Sequence, residues 1–198
     1  CSAGAIHTIA HLDAVRGMLP PQARVVGLAD SGFYLDAPMF TPLKRFVIDA
    51  QDGRMLLSPA CLEDHRGAEE KCLVASVNWR YVASPLFLWQ SRYDTDQRSC
   101  EMSQTCARSE ACVRRWGDRL SEEVARMLEE KPLAATFLDS CSRHCEGPAA
   151  PLDDRSGQTP LQAFASWYLG GATRAFGQTA PFPCGGCCSG GGAGDEWP

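Results

Sequence analysis

The stretch that most constrains the fold is the opening one, Cys1 to Ala5, where a serine flanked by small residues stands at the mouth of an apolar helical pattern. Ile6, Ile9, Ala10, Val15 and Leu19 are interleaved with polar residues from Ala3 onward, and Gly17 and Pro20 end the run. A serine on a sharp turn from strand to helix is the nucleophile elbow, G-x-S-x-G, in which small neighbours let the backbone fold tightly and leave Oγ exposed. Ser2 and Gly4 take the serine and trailing-glycine places, and the leading glycine is expected before residue 1. At such a helix start the N–H of Ala3 points outward and can stabilise a developing oxyanion. Serine is also a common helix N-cap, so the five residues alone leave both readings open.

Three short apolar runs read as strands: Arg24 to Ala29, Pro85 to Gln90, and Leu133 to Leu138, the last in the chain. Each is followed by a polar loop. In an open α/β sheet the ligand crevice lies outside the carboxyl ends of the strands, so these loops are where chemistry is expected. The first carries Asp30 and Ser31, which serve equally well as turn caps. The second carries Asp94, placed where an α/β hydrolase keeps the carboxylate that orients its histidine, with Asp96 as a rival. The third, Asp139 to Cys145, carries His144, which a Cys141–Cys145 or other disulfide would hold in place. Ser2, Asp94 and His144 follow the chain order serine, acid, histidine of those enzymes.

Val113, Trp116, Leu120, Val124, Met127 and Leu128 form one apolar stripe opposite Glu122, Glu123, Arg126 and Glu129, an amphipathic helix with Trp116 in the core. Leu161 to Leu169 reads as a shorter helix ended by Gly170 and Gly171. Thr41 to Cys72 lacks sustained periodicity and reads as a disulfide-tied insertion beside the sheet, part of a lid. Pro148 to Pro160 reads as a turn-rich connector. The expected architecture is α/β-hydrolase-like, a mostly parallel sheet with flanking helices. It is expected to be the C-terminal portion only, with N-terminal strands outside it, because the chain opens on its own active-site turn. Residues 1–183 would form the partial α/β-hydrolase-like domain and 184–198 a Gly/Cys-rich tail, clipped by a local disulfide and disordered from Gly190 to Gly194.

Eleven cysteines point to an oxidising compartment with several disulfides and one thiol left over. Cys184, Cys187 and Cys188, or Cys141 and Cys145 with His144, have ligand-like spacing, but no clean pair of C-x-x-C knuckles appears. His7 and His11 share a helix face without a third ligand. No metal and no cofactor are therefore expected. The net charge of −5, with basic residues scattered among acids, gives no footprint for nucleic acid, and the apolar runs are too short to cross a bilayer.

The chain resembles the pectin acetylesterase and Notum family. The likeness is carried by Cys1 to Gly4 with Ala10 to Asp13, by Gly27 to Asp36, and by Pro85 to Leu88 with Tyr93 and Asp94. It continues through Phe137 to Cys145, Trp167 and Tyr168, and Pro181 to Cys184 with Cys187; the parts unlike the family are the region between Ala37 and Cys72, the middle around Cys100 to Cys112, and the tail. The resemblance implies a secreted serine esterase with Ser2 as nucleophile, Asp94 as acid and His144 as base. It also implies that a Gly-rich, Trp-containing loop completing the oxyanion hole lies in a preceding part. Plant-type members deacetylate pectin, and Notum removes a fatty acyl group from a signalling protein, so the implied substrate is an acylated polysaccharide or an acylated protein. A non-catalytic extracellular binding domain on the same scaffold is the alternative of a different class.

Overall fold

The computed structural model describes residues 1–145, 157–184 and 187–188. In chain order the elements are α1 (Ala3–Gly17), β1 (Gly27–Asp30), α2 (Thr41–Ala50), α3 (Pro59–Asp64), α4 (Ala75–Asn78), β2 (Leu86–Ser91), α5 (Thr95–Cys100), α6 (Gln104–Ala107), α7 (Glu110–Glu130), β3 (Ala135–Asp139), α8 (Pro160–Tyr168) and β4 (Ala175–Gly177), with short 3-10 turns between some of them. The four strands form one parallel sheet in the order β1-β2-β3-β4. The hydrolase-like α/β fold read from the sequence is the one observed.

A parallel sheet is covered on both faces, which is why its strands read as continuous apolar runs. Every residue of β2 is buried. Successive side chains point to opposite faces, so Leu86 and Leu88 go one way and Phe87 and Trp89 the other. The first pair packs with Ala5, Ile9 and Leu12 of α1 and with Trp116, Leu120 and Val124 of α7. The second packs with Phe137, Phe176 and the α8 residues Ala163, Phe164 and Trp167. The result is a three-layer arrangement in which β2 is central. Asp13, near the end of α1, fixes that helix to the loop before β2, accepting from the N–H groups of Ala83 at 2.7 Å and Ser84 at 2.8 Å.

Two expectations are corrected. Leu133 to Leu138 does not give the last strand, because β4 follows it and pairs with β3; β4 has only three residues, of which Phe176 alone is buried, too little for a sequence pattern. Cys141 does not pair with Cys145. Cys145 is bonded to Cys1 and Cys141 to Cys188, while Cys61–Cys72, Cys106–Cys112 and Cys184–Cys187 complete five bridges and Cys100 is the free thiol.

The region from Thr41 to Cys72 contains helices around a small core of Ile48, Leu57, Cys61 and Cys72. In α2 only Ile48 is buried, whereas Leu43 and Phe46 are exposed. Most of the connector from Pro148 to Pro160, and Gly190 to Gly194 in the tail, lie outside the described residues. Among the described residues no helix is long and apolar enough to cross a membrane.

Candidate active site

Ser2 occupies a turn with φ 54° and ψ −124°, a region that non-glycine residues rarely adopt and that costs about 1–3 kcal/mol. Its N–H donates to the carbonyl of Asp30, the last residue of β1, at 2.9 Å, and its carbonyl accepts from Ala5 and Ile6 in the first turn of α1. The hydroxyl makes no cap hydrogen bond to the helix. A capping serine would use that hydroxyl on the N–H of the second or third helical residue, so Ser2 is not acting as a side-chain cap of α1. Gly32 makes the turn possible. A Cβ there would lie 2.3 Å from the Cβ of Ala5 and 2.9 Å from the carbonyl oxygen of Ser2, so any other residue would push the start of α1 away from β1. Ala3 is exposed at the head of a 15-residue helix, where the first N–H groups lack intrahelical acceptors.

Asp94 follows β2 and is the N-cap of α5, its Oδ1 accepting from the N–H groups of Asp96 at 2.9 Å and Gln97 at 3.1 Å. Gln90, the buried residue four positions earlier on β2, donates from Nε2 to Asp94 Oδ2 at 3.1 Å. The same Gln90 accepts from the N–H of Phe33 through Oε1, so the amide is oriented from both ends. His144 Nδ1 stands 3.0 Å from each carboxylate oxygen. The Asp94 side chain is 1% exposed and that of His144 19%. Burial pushes the Asp94 carboxyl above the usual carboxylate range, and the bonds from His144, Gln97 and Asp96 oppose it. A carboxylate so placed fixes the tautomer with the proton on Nδ1 and leaves Nε2 free to accept another.

The loop carrying His144 is held from three sides. The carbonyl of Arg143 accepts from the N–H of Thr95, on the β2 side, at 3.2 Å, and the N–H of Cys145 donates to Ser31 Oγ, on the β1 side, at 3.2 Å. Ser31 Oγ in turn donates to Asp30 Oδ1 at 2.8 Å. Beneath, the fully buried Arg143 donates from Nε and Nη2 to Asp139 Oδ2 at the end of β3 and lies over the Trp89 ring at 4.3 Å, while Trp89 Nε1 donates to the same carboxylate at 3.2 Å. Burial pushes Asp139 up, and the guanidinium works against it. The Cys1–Cys145 disulfide then closes the arrangement, linking the residue before Ser2 to the residue after His144.

Ser2, Asp94 and His144 thus lie at the carboxyl edge of the sheet, Asp94 bonded to His144, and Ala3 next to the serine. Asp30 and Ser31 connect the serine turn to the histidine loop. Asp96, the rival acid, does not touch His144 through any described bond; it accepts from the hydroxyl of Tyr34. Sequence reasoning missed Gln90, Arg143 and Asp139. A glutamine inside an apolar strand was the signal available for the first. The cysteines considered as metal ligands are in disulfides, and no group of three acidic, His or Cys side chains able to hold a metal occurs among the described residues.

A parallel α/β sheet of the hydrolase type, with a strained serine elbow and a buried carboxylate–imidazole pair beyond its strand ends, defines the class of the molecule. The family profile Pectinacetylesterase matches residues 1–189, and the chain belongs to that family. Relatives from Arabidopsis thaliana include pectin acetylesterase 7, 22% identical over 86% of this chain and 50% of the relative, and pectin acetylesterase 4, 22% identical over 95% and 52%. Pectin acetylesterase 5 is 22% identical over 74% of this chain and 39% of its own length. The chain therefore spans about half the length, or less, of these curated relatives.

Proposed function

We propose that the protein is a carboxylic ester hydrolase that removes acetyl groups from an extracellular polysaccharide of the pectin type. The observation that carries the reading is the 3.0 Å pairing of His144 Nδ1 with buried Asp94, on a loop tied by Cys145 to the residue before Ser2. Family membership and the names of the relatives support the acetyl ester as substrate. Five disulfides support secretion into an oxidising compartment.

In this mechanism His144 Nε2 takes the proton of the Ser2 hydroxyl as Oγ attacks the acyl carbon. The charge on the imidazolium is balanced by Asp94, and the oxyanion is met by the Ala3 N–H. As the tetrahedral intermediate collapses, the bond to the sugar oxygen breaks and His144 returns the proton to that oxygen. Water then attacks the acetyl-serine, giving a proton to His144, which passes it to Ser2 Oγ as the bond to the acetyl carbon breaks; acetate leaves and Ser2 is restored. Acetate release from acetylated pectin by the full-length protein tests the proposal. The Ser2→Ala variant should lose roughly four or more orders of magnitude in rate, and full turnover by that variant, or preference for long-chain acyl esters, would contradict it.

A further inference from the structure

The candidate active site occupies the carboxyl edge of the sheet. At the other edge, Arg24 and Val26 ahead of β1, Pro85 ahead of β2, Leu133 ahead of β3 and Arg174 ahead of β4 line a cavity of about 370 Å³, together with Trp167 of α8. Arg24 is exposed and Leu133 is 56% exposed, so the cavity opens to solvent. Its volume is within the range of sites that take small molecules. The six residues of β2, roughly 20 Å of strand, separate it from the loop of Asp94.

The lining holds two guanidinium groups and no acidic side chain, in a protein whose net charge is −5. Neither arginine has an ion-pair partner among the described residues. Both are held by neutral groups instead. Arg24 lies over the Tyr168 ring at 4.1 Å and donates from Nη2 to the Tyr168 carbonyl. Arg174 donates from Nη1 to the carbonyls of Leu128, Lys131 and Ala134 at 2.9, 3.1 and 3.2 Å, and its own carbonyl accepts from the N–H of Thr136 at 2.8 Å. A guanidinium carries five donors, so each fork is positioned by one nitrogen and keeps the others for a ligand. Trp167 packs against Phe87 at 5.6 Å and turns part of its surface to the cavity. Paired planar forks match a carboxylate, and an indole beside them gives the apolar face of a sugar ring a surface to lie on.

We propose that this cavity is a second polysaccharide-binding site that takes a uronate residue of the pectin backbone, with Arg24 and Arg174 on its carboxylate and Trp167 against its ring. The choice of a uronate rests on the pectin-type reading of the function. Since the cavity and Ser2 lie at opposite edges of the sheet, the site anchors a long chain while another part of that chain reaches Ser2, which raises the effective concentration of acetyl groups there.

Calorimetric titration of the full-length protein with unacetylated hexagalacturonate tests the site without turnover. Arg24→Gln, a change at an exposed side chain, should weaken one binding step about tenfold, the scale of a hydrogen bond to a charged group. Arg115→Gln, which removes the same charge from an exposed position on α7, should leave binding unchanged. The fully methyl-esterified hexamer, the same sugar without its charge, should bind at least about tenfold more weakly. Identical titrations of wild type and Arg24→Gln, equal affinity for the two hexamers, or equal affinity for inorganic sulfate would each overturn the proposal. In turnover, Arg24→Gln should raise KM for acetylated homogalacturonan about tenfold and leave its kcat, and kcat/KM for p-nitrophenyl acetate, within about twofold of wild type. A parallel loss on p-nitrophenyl acetate would mean a merely structural role and would overturn it too. If the hexamer binds through Arg24 while acetylated pectin yields no acetate, the esterase reading fails and the binding site stands.

Discussion

Cys1 and Cys145 are disulfide-bonded with their Cα atoms 5.6 Å apart, so one covalent link joins the residue before Ser2 to the residue after His144 across 144 positions of sequence. Ser2 and His144, which the proposed mechanism needs side by side, lie far apart in sequence. Hydrogen bonds alone would leave their approach dependent on loops. Replacing both cysteines by serine should cost about 2–5 kcal/mol of stability. It should also lower turnover more than loss of Cys61–Cys72, which sits in the small core beside α2. Denaturant midpoints and acetate release measured on the two double variants check this.

Asp94 predicts opposite effects on stability and activity. Its folded pKa is raised by burial, so over the interval above the unfolded value the folded protein holds a proton that the unfolded chain has lost, and stability falls as pH rises through it. Asp94→Asn removes this decline. The wild-type-minus-variant stability difference should therefore drop as pH rises from about 4, the ordinary carboxylate value. Turnover of the variant should fall by about four orders of magnitude, since the imidazole tautomer is no longer held.

Asp13 behaves in the reverse sense. Burial raises its pKa, but the bonds from Ala83 and Ser84 outweigh burial and hold the carboxyl below its usual value. Stability from such a group is present above the unfolded pKa and is lost as pH falls through the folded one. Asp13→Ala should cost about 1–3 kcal/mol near neutrality, and the deficit against wild type should shrink as the pH is taken down through the acid range. Thermal unfolding at several pH values reads it directly.

Arg143 is a buried cation whose fork is committed to Asp139 beneath the histidine loop. Removing it leaves Asp139 in the core without its counter-ion, so Arg143→Ala should destabilise by about 3–5 kcal/mol. Arg143→Lys retains charge without the planar fork and should fall between the two. Denaturant titration of both variants provides the comparison.

Much of this was legible beforehand because parallel strands buried on both faces leave an unmistakable trace. The runs at Arg24, Pro85 and Leu133 became Gly27–Asp30, Leu86–Ser91 and Ala135–Asp139, each shifted toward the polar loop it feeds. The stripe of α7 was visible because Val113, Leu120, Val124 and Met127 face one core. The strand β4 was not visible, since it is three residues long, whereas α2 was passed over although Leu43, Phe46 and Val47 recur at helical spacing, because it is a short helix inside a stretch broken by turns and cysteines. Among candidate site residues, Asp94 and His144 were singled out through their places after strands, and the structure bonds them to each other. The Arg143–Asp139 support and the partners of Cys141 and Cys145 were not legible, because both depend on distances between loops far apart in sequence.

The central claim is that Ser2 is a nucleophile activated by His144. Its most direct test is labelling of the full-length protein with a fluorophosphonate, followed by mass-spectrometric mapping of the modified peptide. The account predicts a single label on Ser2 that disappears in His144→Ala and is strongly reduced in Asp94→Asn. A folded protein that remains unlabelled, or one labelled at Ser2 equally well without His144, would contradict it.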